Sequence, residues 1–347
     1  MGEQKTEVSI IRYTADFKPV VEFLSYLRVA NRTLPTLYTE PYFKWKIGNN
    51  PFGESACCLR YQGEVAVSHC SVTAKPLNLW LDAGVGCAEM GDTHTHPQYQ
   101  KRGHFGALGS HAIKVFDQSI PHGSKLIYGF PNENALPGWV RHCNCELYQQ
   151  RSIVELTRNM LRSKSSVLKE CIRRVLHRGR EAVGQFSLCT DENRTIQEIT
   201  ELWVRTGNKE NYLINKDGAW WAWRYKESSE AYRTYAWKEN HSAPASAYII
   251  LKMWWYILRY IQICDILAAS EADRIEAFQR FIRAMVSPID PVQIWVQTGT
   301  TLAERAAREG FVKRRDIVFF FYKNEAYDRL FKQNKCLQLA LGDSDNV

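Results

Sequence analysis

The sequence predicts an α+β protein built as two mixed-sheet domains flanked by helices, and three observations predict it. At 347 residues the chain exceeds one ordinary compact domain and suits two, each with its own core. Its patterns run β-α, then an antiparallel meander, then β-α-β-α-β, the order of a mixed sheet carrying helices on its faces. An aromatic cluster also returns at an offset of 178. Tyr42, Phe43, Trp45 and Lys46 correspond to Trp220, Trp221, Trp223 and Arg224, and a helical pattern precedes each group, with Leu24 matching Leu202.

Residues 8 to 13 (VSIIRY) read as a strand, and 16 to 30 as an amphipathic helix with Val20, Val21, Leu24 and Leu27 near 3.6-residue spacing. Two apolar runs around Gln62-Gly63, in SACCLRYQGEVAVSHCSV, read as a hairpin. A second pair runs from LNLWL through a turn at Asp82-Ala83-Gly84 into VGCAEMGDTHT. After Pro97, GHFGALGSHAIKVF reads as a helix, KLIYGF as a buried strand, and NALPGWVRHC as a second helix introduced by Asn132 and Asn134. Strands at 146 to 157 are expected to close this first domain, residues 1–160.

Residues 161–188 are expected to form a basic linker helix, in which Val167, Leu168, Cys171, Ile172 and Val175 oppose Arg173, Arg174, Arg178 and Arg180. A second domain, 189–347, follows. RSIVEL at 151 to 156 and RDIVFF at 315 to 320 occupy matching places in the two copies. In the second copy the strand YIQICDILAAS passes straight into the helix EADRIEAFQRFIRAM, without a basic pair or a Gln-x-x-Gly.

The formal net charge of +8 suits an anionic partner. Ten cysteines without a C-x-x-C pair read as free thiols in a reducing cytoplasm. The first ten residues lack the apolar core of a signal peptide. The most apolar window, MWWYILRYIQICDIL, is interrupted by Arg259 and Gln262 and falls short of the roughly 20 apolar residues of a spanning helix, so no membrane span is expected.

The informative stretch is THTHPQYQKRGHFGAL, 93 to 108. A helix start offers unpaired amides and partial positive charge to an anion. Gly103 and Gly106 remove side chains from the approach, and Lys101 and Arg102 add charge suited to a phosphate or diphosphate.

Residues 95 to 105, T-H-P-Q-Y-Q-K-R-G-H-F, resemble the V-x-P-x-[YF]-[RQ]-x-x-G-x-[GAF] signature of the GNAT superfamily of acyl-CoA-dependent N-acyltransferases. Pro97, Gln100 and Gly103 match; Thr95 stands where Val is common, and Phe105, where Gly or Ala is common, would crowd the loop. Asn132, Ala135 and Trp139 match the spacing of the family's Asn-x-x-Ala-x-x-x-Tyr, with Trp in place of the Tyr that commonly protonates the leaving thiolate. An indole cannot take that role.

The resemblance implies two GNAT-like domains, the second degenerate and without a CoA motif. It implies acetyl-CoA or a short acyl-CoA as co-substrate, bound by Thr93, Thr95, His96, Gln100, Lys101, Arg102, Gly103, His104, Phe105, Gly106 and Asn132. The acyl group would pass to a primary amine, with an amino sugar or nucleotide-linked amino sugar as first choice, and the Trp-rich segment 220 to 224 would help to form the acceptor pocket. Asp92, then Glu89, are the candidate bases on the strand leading to the acyl group; each reads equally as a solvated strand residue or a salt-bridge partner. His94-x-His96 is not completed by a carboxylate or Cys at a recognisable spacing, so no metal is expected. The Trp residues lie within apolar runs, which favours core or interface over nucleic-acid binding. The alternative function is a catalytically inactive GNAT-like binding or scaffold module. The oligomeric state is not legible.

Overall fold

A computed structural model describes residues 6 to 11, 16 to 31, 38 to 78, 86 to 119, 125 to 148, 152 to 158, 186 to 206, 212 to 238, 243 to 255, 259 to 287, 290 to 331 and 340 to 343. The turn read at Asp82-Ala83-Gly84 and the linker helix up to residue 185 lie outside these residues. Residues 186 to 188, the end of that expected helix, are instead a strand paired to its neighbour in the second half.

The first half contributes β1 (Thr6–Ile11), α1 (Lys18–Asn31), α2 (Glu40–Phe43), β2 (Ala56–Gln62), β3 (Val65–Lys75), β4 (Gly86–Thr95), α3 (His104–Ser119), β5 (Lys125–Gly129), α4 (Leu136–His142), β6 (Cys145–Leu147) and β7 (Ile153–Arg158). The second contributes β8 (Phe186–Leu188), α5 (Glu192–Arg205), α6 (Gly218–Trp221), β9 (Tyr232–Trp237), β10 (Ala247–Trp255), β11 (Arg259–Ala268), α7 (Glu271–Ala284), β12 (Val292–Gln297), α8 (Thr301–Arg308), β13 (Val312–Ile317), β14 (Phe320–Tyr322) and α9 (Glu325–Phe331). The apolar window that includes Arg259 and Gln262 is two antiparallel strands, β10 and β11. No helix among the described residues is long and apolar enough to cross a membrane.

Among these residues the strands form two seven-stranded sheets, ordered β1-β2-β3-β4-β5-β14-β6 and β13-β7-β12-β11-β10-β9-β8. Each is mixed, with one parallel pair, β4·β5 in the first and β11·β12 in the second. The α+β class and the two mixed sheets read from the sequence are the observed architecture. The two sheets exchange strands. β7 lies between β12 and β13 in the second sheet, and β14 lies between β5 and β6 in the first. The strands expected to close the first unit at 146 to 157 therefore part company, and the boundary read at residue 160 falls after a strand of the second sheet. RSIVEL and RDIVFF meet inside one sheet: Ile153, Val154 and Glu155 of β7 pair antiparallel with Ile317, Asp316 and Arg315 of β13, and only Phe320, the last residue of RDIVFF, begins the exchanged strand β14.

On one face of the first sheet, α1 and α2 bury Phe17, Val20, Leu24, Tyr42 and Phe43; on the other, α3 and α4 bury Leu108, Ala112, Phe116 and Trp139. Each large apolar side chain so buried contributes about 1.5–3 kcal/mol. The first of these cores continues into the second half through Leu213, Ile214, Trp220 and Trp223. The 178-residue offset is visible there as geometry. Thr39 caps α2 and Asp217 caps α6, and each helix widens into a π-helical turn, residues 44 to 48 and 222 to 226. Trp45 Nε1 donates to Trp223 O at 2.6 Å, Trp223 Nε1 donates to Trp45 O at 3.3 Å, and the rings stack at 5.0 Å. Reciprocal bonds between equivalent residues are the mark of a two-fold relation.

This geometry corrects the expected role of segment 220 to 224. Trp220, Trp221 and Trp223 are 5 % exposed or less; Trp220 and Trp223 join the core shared by the two halves and Trp221 the core of the second half, so they do not line an open acceptor pocket.

Candidate active site

The β4 strand and the turn after it carry the candidate chemistry. Pairing between β4 and β5 stops at Met90 opposite Gly129, so residues 91 to 95 border an open edge where the parallel strands part. On the other side the β3·β4 register shifts between His69 and Ser71, which places the two residues Asp92 and Thr93 opposite one, a bulge. Asp92 takes the left-handed conformation this requires, with φ 47°.

Beyond β4, Pro97–Tyr99 forms a 3₁₀ turn capped by His96, whose Nδ1 accepts from the Gln98 amide at 3.2 Å. Gln100 is extended, and Lys101 and Gly103 have φ of 60° and 78°. The chain thereby doubles back into α3. The Ala107 amide donates to Gly103 O, and the amides ahead of it, 103 to 106, are those a helix start leaves without an intrahelical partner. Gln100, Lys101, Arg102 and Gly103 are exposed, so this cationic helix start faces solvent. A Cβ at Gly103 would meet nothing within 4 Å.

Other residues of the expected cofactor set have structural occupations. Phe105 turns away from the loop and packs edge-on to Trp139 at 5.2 Å, where Gly138 leaves room for it, so the expected crowding does not arise. Gly106 makes room for His142, since a Cβ there would lie 2.6 Å from that side chain. His104 is buried and its pKa is lowered by burial, helped by Arg60 and Arg102. The Asn132 side chain accepts from the Asn134 and Ala135 amides, a turn that leads into α4. Thr95 Oγ1 lies 3.3 Å from Ser68 Oγ, and Thr93 Oγ1 donates to Gly91 O at 3.3 Å. His96 stacks on Tyr26 of α1 at 5.1 Å, whereas His94 turns to Tyr38, so these two imidazoles do not converge. Trp139 is stacked on Phe320 of the exchanged strand β14, a core position.

Both candidate carboxylates are buried and closed by lysines. Glu89 meets Lys75 at 3.1 Å, and Lys75 lies over the Trp220 and Trp223 rings. Asp92 Oδ2 meets Lys46 Nζ at 2.7 Å and accepts from Ser71 at 2.9 Å, with both ion-pair side chains fully buried. Of the two readings that the sequence left for these acids besides catalysis, the structure has the salt-bridge partner. Burial alone would raise the Asp92 pKa, but the charge and hydrogen bond of Lys46, with His69 and Ser71, outweigh it and hold the carboxyl below its usual range.

Sequence reasoning missed three neighbours. Tyr38 Oη lies 3.1 Å from His94 Nε2. His69, the cross-strand partner of His94, places Nδ1 2.7 Å from the Asp92 carbonyl. Lys46 was legible only as a repeat position, although a lysine inside an aromatic cluster signals a buried cation in need of an anion.

The second copy repeats the frame without the cradle. β11 has its own bulge, and Asp265 beside it pairs with Lys216 at 2.7 Å. Lys216 also meets Asp343 at 2.9 Å, so residues 340 to 343 close this site from the C-terminal side. α7 starts directly after Ser270 with Glu271 and Asp273 in its first turn, which repels phosphate.

No family model matches the sequence, and no curated protein matches it. Solved structures do match. A probable N-acyltransferase from Enterococcus faecalis superposes with a TM-score of 0.61 at 11% identity over 91% of this chain and 72% of that one. A tandem GNAT protein from the clavulanic acid biosynthesis pathway gives 0.59 at 13% identity, covering 91% and 98%. The Saccharomyces cerevisiae N-myristoyltransferase with bound myristoyl-CoA gives 0.58 at 9% identity, covering 91% and 82%. The chain has the tandem GNAT fold.

Proposed function

We propose that the first half binds an acyl-CoA, acetyl-CoA or a short homologue, and transfers the acyl group to a primary amine. The observation that carries this reading is the exposed turn from Gln100 to Gly103 at the start of α3, beside the open edge of β4. Its amides would hold the diphosphate, with Lys101 and Arg102 supplying charge. The pantetheine arm and thioester would lie along residues 91 to 95, where β4 has no partner on the β5 side. There, unpaired amides stabilise the oxyanion as amine nitrogen attacks the carbonyl carbon. Fold kinship with a tandem GNAT protein and an acyl-CoA-bound transferase supports the same assignment.

Asp92 and Glu89, each ion-paired to a buried lysine, anchor the strand that borders this site. An amino sugar or nucleotide-linked amino sugar is the first acceptor to try, delivered from the α1 and α2 face, where Tyr26 presents a ring 54% exposed. No metal and no nucleic acid enters the reaction.

The test is titration of the full chain with acetyl-CoA, read by calorimetry and by melting temperature. Micromolar binding is expected in the wild type, and Gly103→Glu, which strains a turn held at φ 78° and puts a carboxylate beside the diphosphate, is expected to lose it. An unchanged affinity in the variant would refute the cradle. Thiol release with glucosamine and other amino sugars then separates an enzyme from an inactive binding module, which would bind acetyl-CoA and release nothing.

A further inference from the structure

We infer that Phe130 and Trp295 form a partition between the halves that stops the acyl chain at the open edge of the first sheet, and that a cleft of the second half lies behind it. The partition restricts the coenzyme to short acyl groups. The inference rests on the acyl-transfer reading for its ligand, and on the packing between the halves for its residues.

Sheet register places the first residue. Parallel pairing of β4 with β5 ends at Met90 opposite Gly129, so Phe130 is the next residue across the gap from residues 91 to 95, where the thioester would lie. Side chains alternate along a strand. A Cβ at Gly129 would point at the Phe320 ring, on the α3 and α4 side, whereas Tyr128 and Phe130 pack with the core under α1 and α2. Phe130 therefore stands on the face from which the amine would arrive. Its ring lies 4.8 Å from Phe319 and 5.5 Å from Trp295 of β12. Phe319 is buried, while Phe130 and Trp295 are half-buried and keep surface free to meet a ligand. Trp295 Nε1 donates to Glu155 Oε2 at 3.3 Å, which fixes the polar edge of the indole.

Trp295 has a second neighbour. In the second sheet the parallel pairing of β11 with β12 ends at Ile263 opposite Ile294, and a cleft of about 40 Å³ opens there. Ile263, Ile294, Val296 and Leu302 supply apolar lining, and Trp295 belongs to the lining as well. One indole thus stands between Phe130 of the first half and the cleft of the second. A second contact ties the same places together. Tyr128 Oη donates to Asp343 O at 3.1 Å, and Ala340 of that C-terminal segment also lines the cleft.

The cleft does not call for an anion. Its Lys216 meets Asp265 and Asp343, and its Arg274 Nε lies 2.9 Å from Glu271. What it offers is apolar surface and room for roughly three water-sized groups.

An acetyl group puts only a methyl beyond the carbonyl carbon. A longer chain has to continue past residues 91 to 95 and meets the Phe130 ring, with Phe319 and Trp295 packed against it. Rings so packed yield only with strain. Trimming either half-buried ring joins the open edge to the cleft, where each methylene that finds apolar cover gains about fourfold in affinity.

The experiment titrates the full chain with acetyl-, butyryl- and hexanoyl-CoA by calorimetry, in the wild type, Trp295→Leu and Phe130→Leu. The readout is the ratio of hexanoyl-CoA to acetyl-CoA affinity within each protein, so a loss of stability common to both titrations cancels. In the wild type hexanoyl-CoA should bind about fivefold or more weaker than acetyl-CoA, with butyryl-CoA between them. In the variants the ratio should move by about fivefold or more toward hexanoyl-CoA, with acetyl-CoA affinity kept within about threefold. A smaller wild-type penalty, or a smaller movement in a variant that still binds acetyl-CoA, overturns the inference. A wild type that binds none of the three coenzymes overturns the transfer reading itself, an outcome distinct from an unmoved ratio.

Discussion

Replacing Lys46 by methionine tests the electrostatics under the site. Lys46 and Asp92 are fully buried and 2.7 Å apart, so the substitution leaves a buried carboxylate with Ser71 but without a cation in contact. Breaking one side of such a pair costs about 3–5 kcal/mol. At roughly 2.1 cal/mol/K of unfolding entropy per residue, a chain of 347 residues has about 0.7 kcal/mol/K, so the melting temperature should fall by about 4–7 °C at pH 7. The pH dependence sharpens the test. In the wild type the Asp92 pKa is depressed, so the stability it lends is present above its unfolded value of about 3.9 and is lost as pH falls through the folded value. In the variant, burial becomes the leading influence and lifts the folded pKa above the unfolded one. The penalty then applies at neutral pH and fades as pH falls toward about 4. Calorimetric melts at pH 7 and pH 5 should show the gap between the two proteins narrowing. A shift below about 2 °C, or a gap that does not narrow on acidification, would refute this account of the pair.

The reciprocal tryptophans should be coupled. Trp45→Phe and Trp223→Phe each remove an indole donor to the other's carbonyl, costing about 1 kcal/mol apiece, and a double-mutant cycle by urea unfolding should give about 0.5 kcal/mol or more of interaction energy; strict additivity would contradict the paired geometry. A fragment of residues 1 to 160 lacks β14 between β5 and β6 and carries β7 without its partners. It should show no cooperative melt and no acetyl-CoA shift, and a stable, responsive fragment would show that the strand exchange is dispensable.

Much of the frame was legible because it is local. The hairpin at Gln62-Gly63, the helix after Gly103 and the strand at 125 to 129 follow from period and turn chemistry, and the offset of 178 holds to the residue from helix cap to π-helical turn. The strand exchange was hidden because β14 is only the three residues Phe320–Tyr322, too short to show a period, and its place between β5 and β6 is fixed by contacts such as the Phe320 ring on Trp139 and Gly129. At the site, the turn could be read but the state of its acids could not. Lys46 reaches Asp92 from 46 residues away, and a sequence shows a carboxylate's neighbours only along the chain. Phe105 was misjudged for the same reason, since its pocket is made by Gly138 on another helix.

The most direct measurement is a crystal structure of the full chain with acetyl-CoA. The account predicts the diphosphate within hydrogen-bonding distance of the amides in the 100 to 106 turn, with the thioester beside residues 91 to 95. Coenzyme bound against the second sheet, or a turn that stays empty at saturating coenzyme, would contradict it.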